Sequence, residues 1–272
     1  MKQKIFTLFA RTPIHVGAGN SVGAIDSPIT RERHTRIPIL PGSALKGVLA
    51  DFWLDEADSA EHDRMFGTQE RSGRLFFGEA RTLAFPLRSA KGAFAWITCP
   101  LALLRFQRDS GKSLSVPVLP DTMSCLAGNA VLFEGGKTVL EEYVLTQIPN
   151  ATEDLKKISS LLLELSDDPV WSEITDHLVI VSDEMFSYFV ENACEVVTRI
   201  RINDATGTVD NGALFNQEQV PSETLLYTAI SARKEDDDLF EILARKLGEN
   251  GNQLQIGGDE TIGLGVCSVK LM

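Results

Sequence analysis

An α+β fold, with a ferredoxin-like core and large insertions, is predicted by three features of the 272-residue sequence. Strand-like apolar patterns open the chain at 4–12 and close it at 252–256 and 264–271. Amphipathic helical patterns at 43–58 and 236–248 each stand between strand-like segments. The order strand, helix, strands, helix, strand that results is the ferredoxin-like order, interrupted by a long middle section. The sequence reads as a single domain over 1–272. Its core covers about 1–115 and 223–272, insertions and helices occupy about 116–194, and a hairpin spans about 195–221. No internal repeat is present.

Each element has its own local signal. KIFTLFART (4–12) reads as a buried strand. From Pro13 to Pro41 runs a long aperiodic stretch rich in Gly, Pro and Arg, and such a loop inside a compact domain is usually functional or disordered. Ser43 is a candidate cap for the helix that follows, whose apolar face is Ala44, Leu45, Val48, Leu49 and Phe52. Residues 74–87 and 93–106 read as strand-like, buried segments, and 116–150 as irregular. Helices are expected at 152–165 and 183–194, the second capped by Ser182 with Asp183 and Glu184 in its first turn. At 195–221, Val197, Arg199 and Arg201 alternate with Thr198, Ile200 and Ile202 before the turn residues 203–207, which predicts a long hairpin. A strand at 223–232 leads into the last helix.

Composition narrows the functional classes. An apolar share of 43% and a charged share of 24% exclude a disordered chain. No apolar run is long enough for a membrane span, and MKQKIFTLFARTP alternates like a strand without a cleavage site, so a cytoplasmic protein is expected. Cys99, Cys125, Cys194 and Cys267 are dispersed, without zinc spacing, and read as buried or half-buried thiols in a reducing compartment. The net charge of −12 conceals an asymmetry: residues 1–115 hold 16 Lys and Arg against 11 Asp and Glu, whereas residues 116–272 hold 10 against 27. A polyanion can therefore lie along a face built by the first part.

The chemistry-bearing residues lie in glycine-rich segments. His15 to Gly23 follows a strand, but its GxGxxxG spacing and the absence of a following helix rule out a dinucleotide fingerprint. Gly42-Ser43-Ala44-Leu45-Lys46 lacks phosphate-loop spacing, yet amides at a helix start with Lys46 one turn in are suited to phosphate. Gly257, Gly258, Gly263 and Gly265 form a second loop, with Thr261 inside it, that allows close approach of another backbone. Each segment has a plainer alternative as a turn. Arg31, Arg33 and Arg36 add cations beside the first cradle, or form a solvated basic loop. Asp26, between Gly23 and Pro28, is either a turn former or a metal ligand or base, with His15 or Arg31 moving protons or stabilising charge.

Taken together, HVGAGNSVGAIDSPITRERHTRIPILPGSALKGVLAD, TRIRINDATGTVDNGALFNQEQVP and LQIGGDETIGLGV resemble the backbone subunit of type III-B CRISPR effector (Cmr) complexes, in the RAMP superfamily. The likeness runs from residue 5 to 270, and RERHT favours the type III-B branch over the type III-A one. The resemblance implies an RRM-like core with a protruding β-hairpin thumb. It also implies copies stacked head to tail along a guide CRISPR RNA, with other Cmr subunits as neighbours. Each copy would cut complementary target single-stranded RNA, at six-nucleotide intervals, in a reaction dependent on a divalent metal (Mg or Mn). The family's cleavage Asp maps onto Asp26, as metal ligand or as acceptor of the 2′-OH proton.

His15 is then an auxiliary acid or base, and Glu218 a weaker catalytic candidate. Ser43, Lys46 and the Gly257–Gly265 loop would hold guide phosphates, Arg199 and Arg201 would touch the duplex backbone, and Leu214 or Phe215 would wedge the bases. Two positions depart from the family pattern: Arg36 stands where Gly is expected, and Leu264 replaces a common basic residue. Two rivals remain at this point. One is a non-catalytic scaffold that only coats guide RNA; the other is an enzyme acting on small phosphates.

Overall fold

The computed structural model describes every residue except 20, 22, 54–58, 150–151, 201, 203–206 and 210–213. The first element is strand β1 (Lys2–Ala10). Side chains alternate across a strand, so Ile5 and Phe9 join one buried cluster while Phe6, Leu8 and Ala10 join another on the opposite face. One apolar strand thus separates two cores.

The remaining strands are β2 (Ile39–Leu40), β3 (Leu75–Phe77), β4 (Ala80–Arg88), β5 (Phe94–Thr98), β6 (Ser124–Ala127), β7 (Lys137–Leu140), β8 (Tyr143–Gln147), β9 (Leu178–Ile180), β10 (Glu195–Arg199), β11 (Phe215–Gln219), β12 (Leu225–Ala232), β13 (Gln253–Gln255) and β14 (Val266–Leu271). The helices are α1 (Gly42–Asp51), α2 (Ser59–Phe66), α3 (Pro100–Ser110), α4 (Thr152–Leu163), α5 (Ile174–His177), α6 (Asp183–Asn192) and α7 (Asp238–Glu249). The main sheet runs β13-β14-β1-β12-β4-β5-β9-β6-β8-β7, with β2 on β4 and β3 on β12. Within it β14, β1, β12 and β4 are neighbours and antiparallel. Helices α1 and α7 cover one face through Leu45, Leu49, Leu239 and Leu243. Helices α3, α4 and α6 cover the other through Phe106, Ile158 and Phe186. On that second face Trp171 meets Phe9 and Trp96 edge-on, at centroid distances of 5.4 and 5.2 Å.

Four sequence expectations are corrected. The helix expected over 43–58 spans Gly42–Asp51, and residues 54–58 lie outside those described. Ser43 does not cap it: Pro41 holds the cap position, without a side-chain bond. The helix start is pressed so close to the β3–β4 turn that a Cβ on Gly42 would sit 2.4 Å from the Phe77 carbonyl oxygen. Next, the strand-like reading of 93–106 holds only to Thr98. There α3 begins, with Pro100 at its first position and a left-handed Gly111 at its end. Lastly, the stretch 116–150 is not irregular, since it supplies β6, β7 and β8 to the sheet.

The helix at Asp183–Asn192 forms as expected, with Ser182 Oγ accepting the Met185 N–H at 3.2 Å. Strands β10 and β11 form a separate two-stranded sheet, registered Glu195 to Gln219 and Arg199 to Phe215. A bridge between Ile202 and Val209 continues it. Of the expected turn, residues 203–206 lie outside the described residues. Among the described residues no helix is long and apolar enough to cross a membrane.

Candidate nucleic-acid interface and cleavage loop

The aperiodic stretch after β1 is held in place by the hairpin. Ile14 and Val220 exchange two backbone hydrogen bonds of 2.8 Å. Ser27 N–H donates to the Asn216 carbonyl at 3.0 Å, and Glu218 N–H donates to the Ser27 carbonyl at 3.0 Å. Strand β11 therefore has β10 on one side and the Asp26 loop on the other. This explains how residues without periodicity are ordered: their backbone groups pair with a strand about 190 positions away.

Asp26 is exposed at this junction. Its Oδ2 accepts the Asn216 N–H at 2.8 Å, and Oδ1 has no hydrogen-bond partner among the described residues. His15 lies behind it, 8% exposed. Its Nδ1 is 2.6 Å from the Glu218 carbonyl oxygen, which can only accept, so Nδ1 carries a proton. Nε2 is 3.2 Å from Ser27 Oγ. With both nitrogens engaged, His15 fixes the residue next to Asp26.

Arg31 and Glu218, both expected at the site, pair with each other beneath the loop. The Arg31 guanidinium is buried, donating to Glu218 Oε1 at 2.6 Å and to the Val190 and Arg36 carbonyls at 2.9 and 2.7 Å. Glu218 Oε2 accepts the Ile29 N–H at 3.0 Å. Both of its oxygens are occupied away from solvent, so the pair braces the loop and both side chains are buried. Arg33 is exposed and has no ion-pair partner among the described residues. Arg36 is exposed, with Nε 3.0 Å from Glu191.

The two glycine-rich ends of the chain meet. Gly258 N–H donates to the His15 carbonyl at 3.0 Å, and Gly265 N–H to that of Pro13 at 2.8 Å. A Cβ on Gly257 would lie 2.3 Å from the His15 carbonyl oxygen, whereas Gly258 and Gly263 face open space. Thr261 is exposed in the short turn between them. Ser43 and Lys46 are exposed on α1 and line a different groove, shared with residues 68–73 and Phe76. The far end of α1, at Val48, Asp51 and Phe52, borders a further groove with Gln255 and Glu260.

On the hairpin, Arg199 turns inward: Nε donates to Gln217 Oε1 at 2.7 Å, and Nη2 is 3.6 Å from Asp259. Arg201 lies outside the described residues. Leu214 and Phe215 are exposed, as are Val196 and Ile200. The sequence reading missed Ser27, Asn216, Gln217 and Asp259. Of these, only Asp259 carried a signal, as the acid inside a glycine-rich loop. The four cysteines are free, with Cys99, Cys125 and Cys267 buried and Cys194 half-buried. Burial pushes Cys125, Cys194 and Cys267 up to about 12.

Among the described residues no three His, Cys, Asp or Glu gather in a metal-holding arrangement. Asp26 offers one unengaged oxygen, which does not make a resident metal site by itself.

The model of the RAMP superfamily matches residues 7–268. The chain belongs to the RAMP superfamily. This RAMP protein is 35% identical to a Pyrococcus furiosus protein named CRISPR system Cmr endoribonuclease Cmr4, over all of this chain and 96% of the relative. That places it among the type III-B Cmr backbone subunits. A crystal structure of oligomeric Cmr4 from Pyrococcus furiosus superposes with a TM-score of 0.80 at 29% identity, over 100% of this chain and 98% of the other. A chain of a type III-B Cmr-beta complex bound to cognate target RNA shares the fold, with a TM-score of 0.78 at 21% identity and coverage of 100% and 97%.

Proposed function

We propose that this RAMP protein is an RNA-guided endoribonuclease that coats guide RNA as a head-to-tail filament of copies and cuts the complementary target RNA. One observation carries the reading. The two glycine-rich segments, distant in sequence, join at His15 and Gly258 beside an exposed carboxylate held through one oxygen only. The order β14-β1-β12-β4, all antiparallel with α1 and α7 on one face, supports a ferredoxin-like core. The exposed hairpin β10–β11 supports the thumb.

In this reading the Gly258–Gly263 loop, with Ser43, Lys46 and Arg33, holds phosphates without reading bases, and pairing to the guide supplies specificity. The thumb's exposed Leu214 and Phe215 unstack the duplex. The freed 2′-OH then attacks its own phosphate, passing its proton to Asp26 Oδ1. The P–O5′ bond breaks and the departing 5′ oxygen takes a proton from solvent water, leaving a 2′,3′-cyclic phosphate and a 5′-OH. His15 keeps Ser27 and the loop in register, and Glu218 moves no proton. The divalent ion implied by the family resemblance would have to draw most of its ligands from the RNA, and no step here is routed through it.

Asp26→Asn in the assembled complex is expected to retain guide and target binding and to abolish cutting at six-nucleotide spacing. Cutting that persists at that spacing would assign the cleavage elsewhere. Target RNA left intact by the wild-type complex would favour the scaffold.

A further inference from the structure

A second network ties the hairpin to the loop at the end of the chain. Asp259 Oδ2 accepts from Gln217 Nε2 at 2.7 Å and lies 3.6 Å from Arg199 Nη2. The same Gln217 accepts the Arg199 Nε–H at 2.7 Å and a Gln219 Nε2–H at 3.2 Å. Gln217 sits next to Asn216, whose N–H holds Asp26. Asp259 adopts φ +65°, a left-handed backbone that glycine would adopt at less cost. The Asp259 side chain thus stands at a backbone position that glycine would adopt with less strain.

We infer that Asp259 is a positioning residue for cleavage. Through Gln217 and Arg199 it latches the thumb base onto the Gly257–Gly265 loop, so that the Asn216 amide presents Asp26 in one orientation. The inference rests on Asp26 as the cleaving carboxylate, and it adds that correct thumb docking and cleavage geometry are a single event. Displacing a reacting group by about 1 Å can slow a reaction about 10²-fold, so loss of the latch is expected to act on the cleavage rate rather than on target affinity.

The decisive variant is Asp259→Gly, which suits the backbone and removes the latch. In the assembled complex its target Kd is expected to stay within about twofold while single-turnover cleavage slows by about tenfold or more. Amide exchange at Asn216 is expected to quicken in the same variant, a readout that needs no activity. Asp259→Asn, which still accepts from Gln217 and tolerates the left-handed backbone, is expected to restore most of the rate. Wild-type cleavage together with unchanged Asn216 exchange in Asp259→Gly would overturn the inference. Affinity and rate falling together would do so as well, because Asp259 would then act on RNA binding. A wild-type complex that leaves RNA uncut would sink the endoribonuclease reading, while the exchange experiment would still decide the latch.

Discussion

Arg31 and Glu218 form an ion pair of 2.6 Å whose side chains are only 3% and 6% exposed, joining the basic loop to the hairpin across most of the chain. The geometry is well satisfied, since Glu218 also accepts the Ile29 N–H and Arg31 also donates to two carbonyls. Removing one member of such a pair leaves a buried charge alone. Arg31→Ala or Glu218→Ala is therefore expected to destabilise the protein by about 3–5 kcal/mol. Urea unfolding of the isolated chain measures this. Glu218→Gln, which keeps an acceptor for Ile29, should lose less.

Arg36 is expected to respond in the opposite sense. It sits at φ +61°, where the family resemblance implies glycine, and a left-handed non-glycine residue costs about 1–2 kcal/mol. Its pairing with Glu191 is exposed and offsets at most about 1 kcal/mol. Arg36→Gly should leave stability unchanged or raise Tm by a few degrees. A clear fall in Tm would mean that the Glu191 pair outweighs the backbone strain.

The thiols set an alkaline limit. Cys125, Cys194 and Cys267 rise from an ordinary value of 9.0 to about 12 in the fold, chiefly through burial. A group raised on folding contributes stability that is complete below its unfolded value and is lost as pH climbs through its folded one. Unfolding free energy should accordingly decline from about pH 9 to pH 12. Cys267→Ala is expected to flatten that slope, although it lowers stability at pH 7 by leaving a small cavity. At pH 8 the folded protein should resist thiol reagents until urea exposes the cysteines.

Much of the frame was legible in the sequence, because β1, the capped helix α6 and the hairpin arms follow local rules. Ser182 behaves as an N-cap should, and the closing strands lie within two residues of their expected bounds. The errors have physical causes. The apolar density of PLALLRF hid a helix whose start and stop, Pro100 and Gly111, were present in the sequence. Strands β7 and β8 are short and turn through Glu141 at φ +49°, without the Asn-Gly or Asp-Gly pair that announces a tight hairpin. Asp26 stood out from its loop, but Arg31 looked like a solvated cation because its partner is 187 residues away. Local patterns do not record such distant closures. The same holds for Gln217 and Asp259, whose meeting depends on strand β11 lying against a loop near the end of the chain.

The unbroken strand path from β13 to β7 has a mechanical consequence. A plate of paired backbone, in which strands of the cation-rich first 115 residues lie between strands of the acid-rich remainder, has little compliance along its width. If such copies are strung along a flexible polymer, curvature has to be absorbed at the joints between them and in the projecting ribbon, while each plate turns as a stiff link.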